Sequence, residues 1–173
     1  MPKVILFICI SFLSFYSAAQ KLNIDESEAT IKFVFLDDEV EGAVSDFEFT
    51  GHIDASDLSN ANFSGSVAME TLDTNNWLRN RHLRAKKYFY NGEHPRLSFR
   101  SNTIRGADTG KEFLIYGTLT IKGISKDVTW NVNNSGNRFY ITGLINTSDF
   151  GIHIHKESDR NMTQVMISLP YSK

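Results

Sequence analysis

Ile115-Tyr116-Gly117-Thr118-Leu119-Thr120-Ile121-Lys122 alternates without a fault. Ile115, Gly117, Leu119 and Ile121 form one face, and Tyr116, Thr118, Thr120 and Lys122 the other. Successive side chains of a strand point to opposite sides of a sheet, so this period marks a strand with one face buried and one wet. The same period recurs on both sides of the stretch. Towards the N-terminus it appears in Leu97 and Phe99, in Val67 and Met69, in Phe47, Phe49, Gly51 and Ile53, and in Ile31, Phe33 and Phe35. Towards the C-terminus it appears in Val128, Trp130 and Val132, in Phe139, Ile141, Gly143 and Ile145, and in Val165, Ile167 and Leu169. About eight half-buried antiparallel strands follow, separated by turn clusters at 54–62, 106–110, 123–126 and 133–137. Such a series indicates a sandwich or a barrel.

One segment departs from this period. Residues 74–89, TNNWLRNRHLRAKKYF, fit a short helix, with Asn75 or Asn76 as its cap. Arg79, Arg81, Arg84, Lys86 and Lys87 lie here with His82, and no acidic residue occurs between Asp73 and Glu93. The segment reads either as a solvated face or as an anion-binding rim beside a cavity. As a head-group site, Arg81 and Arg84, three apart on a helix, are expected to work as a pair, with Arg79 and Lys86 as further contacts.

The chain has 173 residues and a formal net charge of −2, which provides no general attraction for nucleic acid. Residues 1–19 read as a secretory signal peptide. Lys3 precedes an apolar run from Val4 to Phe15, and Ser17-Ala18-Ala19 supplies small residues before Gln20. The expectation is an exported protein, periplasmic or secreted, with one domain over residues 20–173 and no membrane-spanning segment in the mature chain. The sole cysteine, Cys9, lies in this leader, so the mature chain offers no disulfide and no thiolate site.

Catalytic patterns are lacking. There is no H-E-x-x-H, no G-x-S-x-G, no phosphate loop and no CxxC. His153 and His155 would share one face of a strand, with Asp149, Glu157 or Asp159 as a possible carboxylate partner, but they read as surface residues. Asp37-Asp38-Glu39 reads as a solvated turn. Neither a metal nor a cofactor is expected, and no enzyme activity is indicated.

Several blocks resemble the YceI-like family. They are Arg79–Arg84 with Phe89; His94-Pro95-Arg96-Leu97-Ser98-Phe99-Arg100-Ser101; Gly117–Val128 as a G-x-L-T-I-K-G strand and turn; Gly42 with Phe47-Glu48-Phe49-Thr50-Gly51; and Asp149-Phe150-Gly151 before a last strand. The chain departs from the family's pattern at Asn80, where an Asp is common, and at Tyr90-Asn91-Gly92-Glu93. The resemblance implies an exported, all-β, up-and-down lipocalin-like barrel that binds a polyisoprenoid or another long lipid. Whether the interior is filled or hollow is not decided by periodicity, since eight strands suit either. A hollow barrel would be lined by Phe33, Phe35, Phe47, Phe49, Met69, Leu97, Phe99, Ile115, Leu119, Ile121, Trp130, Ile141 and Ile167. The alternatives are a filled structural or stress-related barrel acting through protein contacts, or an enzyme on a lipocalin-like scaffold.

Overall fold

The computed structural model describes residues 20–173, so the leader lies outside the described residues. Ten strands form one antiparallel sheet: β1 (Asn23–Ile24), β2 (Thr30–Phe35), β3 (Val40–Val44), β4 (Glu48–Phe49), β5 (Ser64–Ala68), β6 (Arg96–Arg105), β7 (Glu112–Ile121), β8 (Ile124–Ser135), β9 (Arg138–Asn146) and β10 (Met162–Ser172). Two of the ten are two-residue pairings, which leaves eight strands of five residues or more. The one α-helix among the described residues, α1 (Trp77–Arg84), lies between β5 and β6.

Neighbours run in the order β3-β2-β10-β9-β8-β7-β6-β5-β4, with β1 paired to β10. The two ends of that path, β3 and β4, are one stretch of chain, broken only at Ser45-Asp46-Phe47. Asp46 makes the break with a left-handed φ of 54°. Arg96 fastens this corner. Its guanidinium reaches Asp46 Oδ2 at 2.9 Å, the Asp46 carbonyl at 2.6 Å and Ser66 Oγ at 2.8 Å. A barrel closed in this way leaves few strand edges open to other chains.

Two hairpins are tighter than the sequence suggests. The expected turns at 123–126 and 133–137 shrink to two residues each. Lys122 and Gly123 have φ of 52° and 74°, and Gly136 and Asn137 have 61° and 57°. Positive φ at both central residues is the geometry whose twist matches the strands it joins, so β8 begins at Ile124, directly opposite Ile121. Conversely, Met69 does not continue β5. The strand ends at Ala68, and Met69–Thr71 form a 3-10 turn.

α1 is shorter than the basic segment around it. Asn76 Oδ1 caps it by accepting from the Arg79 amide at 3.0 Å. Asn80 and Leu83, three apart, face inward and are buried. Asn80 Oδ1 accepts from the Thr74 amide at 2.8 Å and from the Thr74 hydroxyl at 2.6 Å, while its Nδ2 donates to Asp73 Oδ1 at 2.7 Å. That donated bond, followed by one from the Asn75 amide, holds the Asp73 carboxyl below the usual aspartate value. The amide thus ties the helix to the preceding loop without an ion pair of its own.

At the end of the barrel remote from α1, aromatic rings fill the interior. Phe63 and Phe139 meet edge to face at 5.2 Å, Phe113 lies 6.0 Å from Phe63, and Tyr171 stacks on Phe139 at 4.7 Å. Tyr171 keeps its hydroxyl satisfied by donating to Asn134 Oδ1 at 2.8 Å.

Candidate functional site

The rest of the barrel is hollow. A cavity of about 180 Å³ runs above the aromatic floor. An apolar cavity of roughly 150 Å³ is already large enough to stay dry and take a benzene ring. All thirteen residues named from the sequence line it: Phe33, Phe35, Phe47, Phe49, Met69, Leu97, Phe99, Ile115, Leu119, Ile121, Trp130, Ile141 and Ile167. Eleven of them come together because each holds the apolar phase of its own strand and the pairing register keeps those phases on one side, while Phe47 and Met69 lie just outside strands. Val44, Phe63, Leu72, Phe89, Ile145 and Thr163 are among the further lining residues that were not named as site residues. Ile145 shares the period of Phe139 and Ile141. Leu72 and Phe89 lie outside the strands, where alternation gives no signal.

Glycines open the space. An added Cβ at Gly143 would stand 2.6 Å from Trp130 Cε3, and one at Gly117 would stand 2.4 Å from Phe99 Cζ. Each ring therefore lies flat over a neighbouring strand where that strand has no side chain, instead of projecting into the lumen. Phe99 and Trp130 then meet edge to face at 5.9 Å. The two positions differ in one respect. Gly117 also abuts the Arg100 carbonyl, at 2.4 Å, which cannot move away, whereas the next atom beyond the ring at Gly143 is the Thr129 carbonyl at 3.2 Å. Gly143→Ala is expected to push the Trp130 indole into the cavity and lower uptake of an apolar chain about tenfold, with a stability loss of about 1–3 kcal/mol. Gly117→Ala should lose more stability, because backbone must shift. Thermal melts beside titrations with a fluorescent fatty acid check both.

The wall is almost wholly apolar. Two polar side-chain atoms in the lining are buried and lack a partner among the described residues: Trp130 Nε1 and Thr163 Oγ1. A buried polar atom without a partner is costly. The Thr147 hydroxyl, also in the lining, is already satisfied by the Ile152 carbonyl at 3.0 Å.

α1 lies between β5 and β6 in the chain, and just beyond its C-terminus the Lys87 carbonyl accepts from Lys122 Nζ, next to the end of β7, at 3.4 Å. Leu72 before it and Phe89 after it both line the cavity. None of Arg79, Arg81, Arg84 and Lys86 is in the lining. Arg79 donates through Nε to Thr74 Oγ1 and through a terminal nitrogen to the Thr74 carbonyl, both at 2.8 Å. Arg84 folds back to the Leu72 carbonyl, and its Nε is buried without a partner. Arg81 and Lys86 are exposed. The structure thus separates Arg81 from Arg84, since one points to solvent and the other lies along the helix base.

His153 and His155 do not share a strand face. Gly151, with φ of 67°, ends the regular backbone, and residues 151–161 form a loop. Asn161, 1% exposed, holds that loop. Its Oδ1 accepts from the amides of Ile154 and His155 at 2.8 and 2.9 Å, and its Nδ2 donates to the His155 and Glu157 carbonyls. His153 is exposed, while His155 Nε2 approaches Asp38 Oδ2 at 2.9 Å and Asp37 Oδ2 at 3.4 Å. The turn Asp37-Asp38 is therefore engaged and not merely solvated. Arg160 occupies Asp37 by a hydrogen bond and holds its carboxyl below the usual range. The cluster is a latch between the β2–β3 turn and the β9–β10 loop, and sequence separation hid it.

This architecture has known counterparts. The crystal structure of Burkholderia cenocepacia BcnA matches with a TM-score of 0.76 at 21% identity, over 87% of this chain and 100% of the other. A polyisoprenoid binding domain from Saccharophagus degradans matches with a TM-score of 0.61 at 16% identity, over 90% and 99%. Among sequences, a UPF0312 protein of Staphylococcus epidermidis is 25% identical over 150 residues, 79% of this chain and 84% of that protein. A UPF0312 protein of Photorhabdus laumondii is 28% identical over 95 residues, 55% of this chain and only 48% of that protein, so the match spans about half of that relative's length. The model of the YceI-like domain matches residues 22–170, from the strand pair that starts the barrel to the end of β10. That span places the chain in the YceI-like domain family.

Proposed function

We propose that this protein is a lipid-binding protein that holds one long apolar chain, of isoprenoid or acyl type, in the barrel cavity. The observation that carries the reading is the cavity itself: about 180 Å³ walled by Phe, Ile, Leu, Val, Met and Trp. Transfer of a chain from water into such a wall is worth about 0.8 kcal/mol per CH₂, so length alone supplies affinity. The polyisoprenoid binding described for the Saccharophagus domain supports an isoprenoid as the first ligand to test. Arg81 and Lys86, which are exposed, would supply the head-group contacts, whereas Arg84 is held to the Leu72 carbonyl. Arg79 is already committed to Thr74.

The protein acts as a binding protein and not as an enzyme in this reading, and it is exported through residues 1–19 to the periplasm or beyond. Native mass spectrometry of the protein purified from its own host tests all of this together. The expected spectrum shows an N-terminus at Gln20 and an added mass that dissociates as a lipid. A mass equal to the bare chain, with no uptake of added prenol or fatty acid, would overturn the lipid reading and favour a barrel that acts through protein contacts. A full-length chain retained in the cytoplasm would overturn the export reading.

A further inference from the structure

The outer face of α1 has a composition unlike the rest of the surface. Trp77 is 73% exposed and Leu78 is 45% exposed, although both are large and apolar. Folding buries Asn80 and Leu83 on the opposite side, so the helix had an inward face available and these two do not use it. Trp77 and Arg81 are four apart, as are Leu78 and His82, and Leu78 and Arg81 are three apart. The four side chains therefore form one continuous outward patch. Arg81 and His82 are exposed, and exposed Lys86 and Lys87 follow directly. Lys86 and Lys87 hold their Nζ 5.5 Å and 5.1 Å from the Tyr90 and Tyr88 ring centres. None of Arg81, Lys86 and Lys87 has an ion-pair partner among the described residues, and no acidic residue interrupts 74–92.

We propose that this face docks the barrel on an anionic lipid bilayer surface, with Trp77 and Leu78 entering the headgroup layer and Arg81, Lys86 and Lys87 resting against lipid phosphates. Tryptophan, with an apolar ring and one polar edge, favours the membrane–water boundary. Clustered cations beside it are drawn to anionic headgroups, each about fivefold in affinity. The charge also selects among occupants. A second copy using the same face would set Arg81, Lys86 and Lys87 against like charges. A polyanion without an apolar layer would leave Trp77 and Leu78 in water. Leu72 and Phe89, at the two ends of the α1 segment, line the cavity, so docking brings the cavity end of the barrel to the bilayer. Docking stands on α1 alone, whereas its use for loading the cavity rests on the lipid-binding reading above.

Co-sedimentation with vesicles of equimolar phosphatidylglycerol and phosphatidylcholine, against vesicles of phosphatidylcholine only, tests the proposal with the mature chain. Binding to the anionic vesicles is expected, with a strong fall at high salt. The double variant Trp77→Ala, Leu78→Ser should lower partitioning by tens of fold. The triple variant Arg81→Gln, Lys86→Gln, Lys87→Gln should lower it about a hundredfold and remove most of the salt dependence. Leu144→Ser serves as the control. Leu144 is 58% exposed on the outer face of β9, and its loss should change nothing. All these side chains are exposed, so melting temperatures should stay near that of the parent. Loss of binding on Leu144→Ser, equal binding by both vesicle types, or no effect of the Trp77 and Leu78 changes would overturn the proposal. Concentration-dependent dimers lost on Trp77→Ala, without vesicle binding, would overturn it in favour of a second copy. Prenol uptake by the Trp77→Ala, Leu78→Ser variant, measured without vesicles by native mass spectrometry, is expected to be unchanged, so failure of docking and failure of cavity binding give different results.

Discussion

Leu119→Glu is expected to abolish uptake of any apolar chain and to make folding dependent on acid. Leu119 is 9% exposed, in the cavity wall beside Phe99 and opposite Lys126 in the β7–β8 pairing. Its neighbours across the lumen are hydrocarbon, and its cross-strand neighbour Lys126 is exposed to solvent, so a carboxylate turned into the lumen is held neutral instead. Burial lifts a carboxyl pKa by up to about 3–5 units. Keeping the group neutral at pH 7, against an ordinary glutamate value near 4.3, then costs about 4 kcal/mol, and at pH 5 about 1 kcal/mol. The sign follows from the raised folded-state pKa. The unfolded chain releases the proton more readily, so the variant loses stability as pH rises above the ordinary value and regains it as pH falls. Denaturant melts at pH 5 and pH 7 should therefore diverge for Leu119→Glu and not for Leu119→Gln. Equal loss at both pH values would mean that the side chain escapes to solvent, and the inward register of β7 would then be wrong.

Phe139→Ala should be the most damaging truncation in the floor. Phe139 is 0% exposed and touches three other rings, Phe63, Phe113 and Tyr171. Removing a buried Phe side chain costs about 3–5 kcal/mol, because its contacts vanish and the neighbours collapse only partly. For a chain of this size that corresponds to a fall in melting temperature of roughly 6–20 °C. Phe63 belongs both to this floor and to the cavity lining, so the variant should also deepen the cavity and accept a longer chain. Differential scanning calorimetry and a chain-length series of fatty acids give the two readouts. A loss below about 1 kcal/mol would show that the rings do not form a packed floor.

Much of the fold is legible in the amino-acid order. Period-two alternation names the strands and the inward side of each, and a barrel needs little more, because antiparallel neighbours follow one another in the chain. The helix is legible from its broken period and from Asn76. Turn clusters are legible as places but not as lengths, since Lys122-Gly123 and Gly136-Asn137 shorten their loops through backbone angles that the strands' twist selects. Alternation also brings eleven of the thirteen named lining residues to one side of the sheet, whereas Phe47 and Met69 lie just outside strands.

What the order of residues leaves open is whether inward apolar side chains fill the space or surround it. Gly117 and Gly143 decide that, and they act through Phe99 and Trp130 on adjacent strands, so their role exists only once the strands are paired. The same holds for the outward turn of Trp77 and the inward turn of Arg84, since helical spacing sets relative angles but packing sets which side faces the barrel. His155 meets Asp38 across 117 residues of sequence, at a distance no local pattern encodes. Composition and period are local properties and determine strands, faces and caps. Empty volume, unpartnered donors and exposed apolar patches are differences between neighbours distant in the chain, and only the tertiary structure brings those neighbours together.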